Sequence, residues 1–476
     1  MLSGIYRTDL GLLTDLYQLT MCYGYHRNRM QDREAVFHLF YRKEPFGGDY
    51  AIAAGLESVV EYLQNLTFSV HDIQYLGGLT GNDGEALFDE RFLNFLQRAE
   101  LSLDIDAVPE GTLVHAHEPL LRVRGPIWQA QLVETALLNL MNFSTLIATK
   151  AHRIVRAAGG DPVLEFGLRR AQGIDGGLTA SRAAYLGGCA ATSNVLAGRL
   201  FGIPVRGTHA HSWVMAFGDE PEAFESYARA MPGNCTFLVD TYDTEQGVRR
   251  AITVGRQLRE RGYEMNGIRL DSGDLAELSK LARRLLDEAG FPNAKIVASN
   301  DLDEYKIQQL KESGATITVW GVGTNLVTAR DQPALGGVYK LAAVENDRGE
   351  LEDRVKLSNT PIKVSNPGVQ QVARFFQEDA RTVDVIYDER HPPERWAART
   401  FDGSETLELS GAFQNLLVPI FRKGNLVYEM PTLKQIRSFC GSQTVPTRSS
   451  VLLEANLFEK KQTLVAQHRA TKQISD

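Results

Sequence analysis

The sequence predicts an α/β protein. Its core is a parallel (β/α) barrel, and its N-terminal and C-terminal segments together build an additional mixed α+β domain. Three observations lead there. From residue 160 onward, short apolar runs alternate with longer helix-like stretches. Polar, chemically capable residues fall just past the end of every one of those runs. The first 130 residues mix helical and alternating strand-like patterns instead.

The apolar runs are PVLEF (162–166), IPVRG (203–207), CTFLVD (235–240), GIRLD (267–271), AKIVAS (294–299) and TITVWGVG (316–323). Helical patterns lie between them, such as 244–262 and 275–290, the latter opening after Asp274 as N-cap and stopping at Gly290. Repeats of about 30 residues suit βα units with parallel strands, in a barrel or a doubly wound sheet. The strand ends favour the barrel. Glu165, Arg169 and Arg170 follow the first run; Thr208, His209 and His211 the second; Asp240 the third. Arg269, Asp271 and Ser272 mark the fourth, Ser299 and Asn300 the fifth, and Gly321, Gly323 and Thr324 the sixth. A barrel gathers all C-terminal strand ends on one face, whereas a doubly wound sheet uses mainly those near its switch point.

Outside that core, residues 8–30 read as an amphipathic helix and 36–42 as a half-buried strand. Residues 49–100 read as helices with loops, and 104–126 as short strands. Residues 132–151 are the longest apolar stretch, but Glu134, Asn139 and Asn142 make it a buried helix rather than a membrane span. Residues 350–430 read as β-rich, including VKLSNTPIKV (355–364), and 432 to the end as helical. The expected domains are 1–150, 151–345 and 346–476, the last folding back on the first.

Composition narrows the function. A net charge of −8 over 476 residues argues against sequence-independent nucleic-acid binding, while leaving room for a locally positive cleft that takes a small anion. Cys22, Cys189, Cys235 and Cys440 form no C-x-x-C pair and suggest neither a disulfide framework nor a zinc cluster. No signal peptide is evident, so a cytoplasmic protein without membrane association is expected.

Several stretches carry chemistry. In WGVGTNL (320–326), Gly321 and Gly323 let backbone N–H groups approach an anion and Thr324 adds a hydroxyl; a tight turn after a buried strand reads equally well. SND (299–301) offers a second small polar loop. In GIRLDSGDL, Arg269 and Asp271 share one side of a strand, as a structural ion pair or as a clamp for phosphate, carboxylate, ribose or Mg²⁺. Phe166, with Arg169 and Arg170, would suit a flat anionic ring. GTHAHSWVMAF (207–217) places His209 and His211 one residue apart. Metal ligand, general base, phosphate handler and ordinary core histidine all remain open for the pair.

Five blocks closely resemble the nicotinate phosphoribosyltransferase family: LLTDLYQLTMCYGY (12–25), EFGLRRAQGIDGGLTASRAAYLGG (165–188), GTHAHSWV (207–214), GIRLDSGDL and WGVGTNLVTARDQPALGGVYKL (320–341). The resemblance implies a type II phosphoribosyltransferase, with an irregular barrel and a mixed domain, acting as a homodimer with its site near the interface. It implies joining nicotinate to phosphoribosyl pyrophosphate, giving nicotinate mononucleotide and pyrophosphate in NAD salvage. ATP would be a co-substrate, coupled through phosphorylated His211, and Mg²⁺ or Mn²⁺ the cofactor. Tyr17 and Phe166 would sandwich the pyridine. Thr208 and Arg269 would hold nicotinate or the phosphoribosyl donor, with Ser299 in the substrate set. Thr324, Gly321 and Gly323 would cradle the 5-phosphate, and Asp271 would steer ribose or Mg²⁺. Arg169 and Arg170 would neutralise pyrophosphate or the substrate carboxylate. His209 occupies the motif's variable position and receives no role. Three rivals are a nicotinamide enzyme, a quinolinate enzyme and a non-catalytic barrel. The first would want an acid where YLGGCAATSN (185–194) has none; the second lacks the histidine motif; the third would show losses at Tyr17, His211, Arg269 or Asp271.

Overall fold

Six short parallel strands form the heart of one of two units in the computed structural model, which describes residues 10–358, 363–377, 382–445 and 449–474. This unit covers Ile147–Pro333. Its strands are β1 (Val163–Glu165), β2 (Ala191–Thr192), β3 (Thr236–Leu238), β4 (Gly267–Leu270), β5 (Lys295–Ala298) and β6 (Val319–Val322). They pair in the order β2-β1-β6-β5-β4-β3. That order is the cyclic sequence of a (β/α) barrel opened between β2 and β3, with no switch point of the doubly wound kind.

The sheet curls as part of a barrel does, and its backbone ladder runs from β2 round to β3. The run 203–207 is not the second strand. That place belongs to Ala191–Thr192, and Val205 touches it through a single parallel bridge to Thr192. Pro204 fixes its own φ and has no N–H to donate, so this run makes a poor ladder strand. Among the described residues no backbone ladder joins it to β3.

Side chains span the open seam. The buried His209 accepts the β3 backbone N–H of Leu238 at its Nε2, at 3.3 Å, and its ring lies 5.0 Å from Tyr227, with Phe224 and Phe237 close by. Thr208 accepts from Arg269 of β4 at 3.2 Å. The helices between the strands follow the sequence closely. Thr244–Glu260 and Leu275–Glu288 are both capped by an aspartate, Asp243 and Asp274, whose carboxylate accepts first-turn N–H groups.

The other unit comprises Met1–Leu146 and Ala334–Asp476. Its seven-stranded antiparallel sheet pairs Glu34–Tyr41 with Leu121–Pro126 on one side and Gly337–Glu345 on the other, and Val418–Arg422 with Asp104–Ala107. Gly337–Glu345 thus belongs to this sheet, although the sequence reading put it at the end of the barrel segment. Glu34–Tyr41 is buried along seven of its eight residues rather than on alternate ones, so its expected half-buried pattern does not hold. A six-stranded mixed sheet spans residues 370–454. Its strand Ser449–Glu454 interrupts the C-terminal region expected to be wholly helical, and pairs in parallel with Thr382–Asp388. Residues 355–358 form no strand, and 359–362 of that same expected run lie outside the described residues. The first helix is shorter than expected, Leu16–Arg27. All four cysteines are buried thiols outside any disulfide, and no helix among the described residues is long and apolar enough to cross a membrane.

His209→Ala would strand the Leu238 N–H and remove a ring from an aromatic cluster, at a cost of about 1–3 kcal/mol. Thermal unfolding should show Tm falling by several degrees. Burial first, then Arg269 and His211 nearby, hold the His209 pKa down to about 4 against an ordinary 6.5. The unfolded chain therefore takes up this proton first. The contribution of His209 is complete above 6.5 and fades as pH falls towards 4. The Tm gap between wild type and His209→Ala should narrow between pH 7 and pH 5.

Candidate active site

The ends of β4 and β5 and the segment along the open seam converge on one guanidinium. Arg269, on β4, donates from Nε to Ser299 Oγ at 2.8 Å, from Nη1 to Thr208 Oγ1 at 3.2 Å and from Nη2 to Asp271 Oδ1 at 2.9 Å. Ser299 Oγ also donates to the same Asp271 oxygen. Two residues apart on an extended strand, Arg269 and Asp271 point the same way, as their alternation with Ile268 and Leu270 implies. Burial pushes the Asp271 carboxyl up, but the Ser299 hydroxyl, the Arg269 charge and bond, and His211 together outweigh it. Its pKa ends below the ordinary carboxylate value, so Asp271 is an anion at neutral pH.

His211 opens the short helix His211–Met215 beside this carboxylate. Its Nδ1 lies 3.1 Å from Thr241 Oγ1 and its Nε2 3.7 Å from Asp271 Oδ2. The two histidines of the motif therefore do different things: His209 turns into the aromatic cluster and His211 faces the Asp271 carboxylate. Asp240, at the end of β3, accepts from the Asp271 N–H and from Ser272 Oγ through Oδ2, both at 2.7 Å, while its buried Oδ1 has no partner. Among the described residues no group of three or more His, Cys, Asp or Glu side chains is placed to hold a metal ion. Asp240 and Asp271 instead fit a divalent cation that keeps most of its waters and meets one or two carboxylates.

Phe166 forms the floor. Its ring lies 5.8 Å from the Arg269 guanidinium carbon, a cation–π distance. Its position depends on Gly321, because a Cβ there would stand 2.8 and 2.9 Å from the ring carbons. Glu165, read from sequence as a chemically capable strand-end group, is fully buried. It accepts from the Gly167 N–H, from Ser181 Oγ at 2.9 Å and from Thr192 Oγ1 at 2.5 Å, and so braces the turn that carries Phe166. Arg169 and Arg170 are exposed on the turn Leu168–Arg170 and take no part in the Arg269 cluster.

The loops after β5 and β6 are joined by Asn325, which donates to the carbonyls of Asp301 and Leu302 at 2.9 and 3.1 Å. Asn300 and Asp301 have φ of 131° and 47°, a strained conformation that this link and Lys306, bonded to the Asn300 carbonyl, hold in place. Gly323 caps the single turn Thr324–Val327. Beneath the cluster, Phe166, Thr208, Leu164, Thr236, Val297 and Val319 line a cavity of about 720 Å³, space that a closed barrel would fill with side chains.

The structure therefore brings Phe166, Thr208, His211, Arg269, Asp271 and Ser299 together, with Gly321 and Gly323 behind Phe166. Tyr17 belongs to the other unit, 48% exposed on the first turn of its helix. Sequence reasoning missed Thr241, the orienting partner of His211. Its only signal was its place directly after Asp240.

Gly321→Ala should push the Phe166 ring away from Arg269 and cost about 1–3 kcal/mol of stability. A lowered Tm together with a displaced ring in a crystal structure checks this.

Comparison with known proteins places these residues in a family. A family model described as the nicotinate phosphoribosyltransferase N-terminal domain matches residues 12–142, and one described as the nicotinate phosphoribosyltransferase family matches residues 162–358. Nicotinate phosphoribosyltransferase of Bacillus subtilis (strain 168) is 45% identical over 441 residues, covering 90% of this chain and 88% of that protein. The protein of the same name from Dictyostelium discoideum is 37% identical over 514 residues, covering 94% and 84%. The crystal structure of human nicotinic acid phosphoribosyltransferase matches with a TM-score of 0.82 at 32% identity, covering 95% of this chain and 99% of that one. Nicotinate-nucleotide pyrophosphorylase from Pyrococcus furiosus shares the fold, with a TM-score of 0.71 at 22% identity over 91% of this chain and 95% of its own. The chain belongs to the nicotinate phosphoribosyltransferase family.

Proposed function

We propose that this protein joins nicotinate to phosphoribosyl pyrophosphate, giving nicotinate mononucleotide and pyrophosphate, and that it couples this to ATP hydrolysis through His211. The arrangement that carries the reading is the Arg269 cluster over Phe166, with His211 at its edge. Relatives bearing the enzyme's name over most of their length support it.

The planar fork of Arg269 suits a carboxylate, and the ring face of Phe166 suits a pyridine. Held so, the ring nitrogen directs its lone pair at C1 of the ribose. The N–C1 bond forms as the C1–O bond breaks, and pyrophosphate leaves with that electron pair. No protein nucleophile is needed; positioning and charge do the catalysis. The anionic Asp271 faces the positive charge that grows on the ribosyl carbon, as in glycosyl transfer. Thr324, Gly321 and Gly323 are assigned to the 5-phosphate, and the exposed Arg169 and Arg170 to pyrophosphate. Asp240 and Asp271 would hold Mg²⁺ or Mn²⁺, which when bound neutralises charge on the leaving pyrophosphate.

His211 has a separate task. With Nδ1 engaged by Thr241, Nε2, beside Asp271, is the nitrogen assigned to take the γ-phosphoryl of ATP, releasing ADP, and water later releases the group as phosphate. The added charge of about −2 then acts on Asp271 and the neighbouring loops. Homodimeric assembly, a cytoplasmic location and a place in NAD salvage belong to the same reading.

Nicotinate, phosphoribosyl pyrophosphate and Mg²⁺, incubated with and without ATP, should yield mononucleotide in both mixtures, with more product and concurrent ADP release when ATP is present. No mononucleotide under either condition would overturn the function. His211→Ala should keep the ATP-independent rate and lose ATP stimulation and ADP release together; full stimulation in that variant would remove His211 from the coupling.

Truncating a buried, hydrogen-bonded charge costs about 2–5 kcal/mol. Arg269→Ala should therefore lower kcat/KM for nicotinate by roughly 30-fold or more. Nicotinamide, which brings no negative charge to Arg269, should be at least roughly tenfold poorer than nicotinate in wild type. Relative turnover of the two pyridines measures it, and equal turnover would contradict the carboxylate assignment.

A further inference from the structure

The unit that carries the N- and C-terminal segments holds a cavity of about 730 Å³ that the proposed reaction does not use. One wall is the hairpin formed by Trp396–Arg399 and Thr406–Leu409 with the turn between them. The other is the strand Ser449–Glu454 and the helix that follows it. Gly403, at φ 75°, lets the turn close on that helix, since a Cβ there would stand 2.8 Å from the Phe458 ring.

The cavity is apolar along Phe401, Leu407, Val451 and Leu452 and contains one buried charge, Lys461, at 6% exposure. The Lys461 ammonium donates to Asn366 Oδ1 at 2.9 Å and lies 5.6 Å from the centre of the Phe401 ring. Among the described residues it has no carboxylate partner. Asp402, at the rim, spends Oδ1 inside its own turn, on Thr400 and on the Ser404 N–H and hydroxyl. Burial alone pushes the Lys461 ammonium down to about 8, which leaves it charged at neutral pH. A buried cation without a counter-charge is costly, and among the described residues two of its three N–H donors have no protein partner.

His117 completes the wall. Its backbone is held at φ 74°, and its ring lies 4.8 Å from Phe401. Burial, then Lys461 and Arg42, hold its pKa down to about 4, so it meets a ligand as a neutral imidazole.

We infer that this cavity is a second ligand site, which takes an amphiphilic organic monoanion: a carboxylate or sulfonate on Lys461, with a flat apolar body against Phe401, Val451 and Leu407. The volume lies within the range of small-molecule sites and exceeds a single ring. The acidic rim of Asp402 and Glu405 disfavours multiply charged phosphates.

The test is isothermal titration of the full chain with 2-naphthoate, beside the neutral 2-naphthylmethanol. The expected result is one 2-naphthoate per chain, with the alcohol at least tenfold weaker. Lys461→Met, which keeps the side-chain volume and removes the charge, should weaken binding at least tenfold. Leu407→Glu should do the same at a position that is 43% exposed, where the fold tolerates a charge. No heat with 2-naphthoate would overturn the proposal. So would binding that survives either variant, or binding that Arg269→Ala abolishes while both variants retain it.

Discussion

The guanidinium of Arg269 ties the site together. Its three hydrogen bonds reach the end of β5, its own strand β4 and the segment that lies along the open seam. Each partner is a short side chain with little reach of its own, so the planar fork sets their spacing. A lysine at this position could not hold three partners in one plane. Asp271 is anionic because Arg269 and Ser299 stabilise its charge against burial, and it stands beside His211 for that reason. Remove the guanidinium and the carboxylate, the serine and the threonine lose their common reference.

The surroundings follow the same economy. An open sheet leaves interior space, and polar groups at its rim must be satisfied by something other than a neighbouring strand. His209 provides for the β3 N–H across the seam, and Glu165 provides for the turn that carries Phe166. Asn325 holds the two strained residues after β5 from the neighbouring strand end. These braces are buried or half-buried, so the reactive groups above them can be partly exposed without being loose.

Much of this was legible in the sequence. Five of the six apolar runs are strands of the open sheet, because buried parallel strands are short, β-branched and bounded by turn residues whatever surrounds them. The exception, 203–207, has similar composition but contains Pro204, and Ala191–Thr192 takes its place as a two-residue strand too short to carry a pattern. The alternation of Arg269 and Asp271 showed that they share a side of β4. It did not show that Ser299 and Thr208 would meet the same guanidinium, since those contacts join residues 30 and 61 positions apart. Glu165 read as a site group and is a brace; the residues that bury it, Ser181 and Thr192, lie 16 and 27 positions away.

By itself, then, the sequence determined the βα repeat, the caps that start and stop its helices, the family motifs and the identity of the groups able to do chemistry. Those are local properties, written in periodicity, capping residues and side-chain type. Only the tertiary structure decided that the sheet stays open between β2 and β3 and that the paired histidines part company. It also decided that Thr241 orients His211 and that Lys461 lines a cavity beside Phe401, bonded to Asn366. Burial and hydrogen-bond partnership come from residues far apart in the chain, and no local pattern encodes which distant group will arrive.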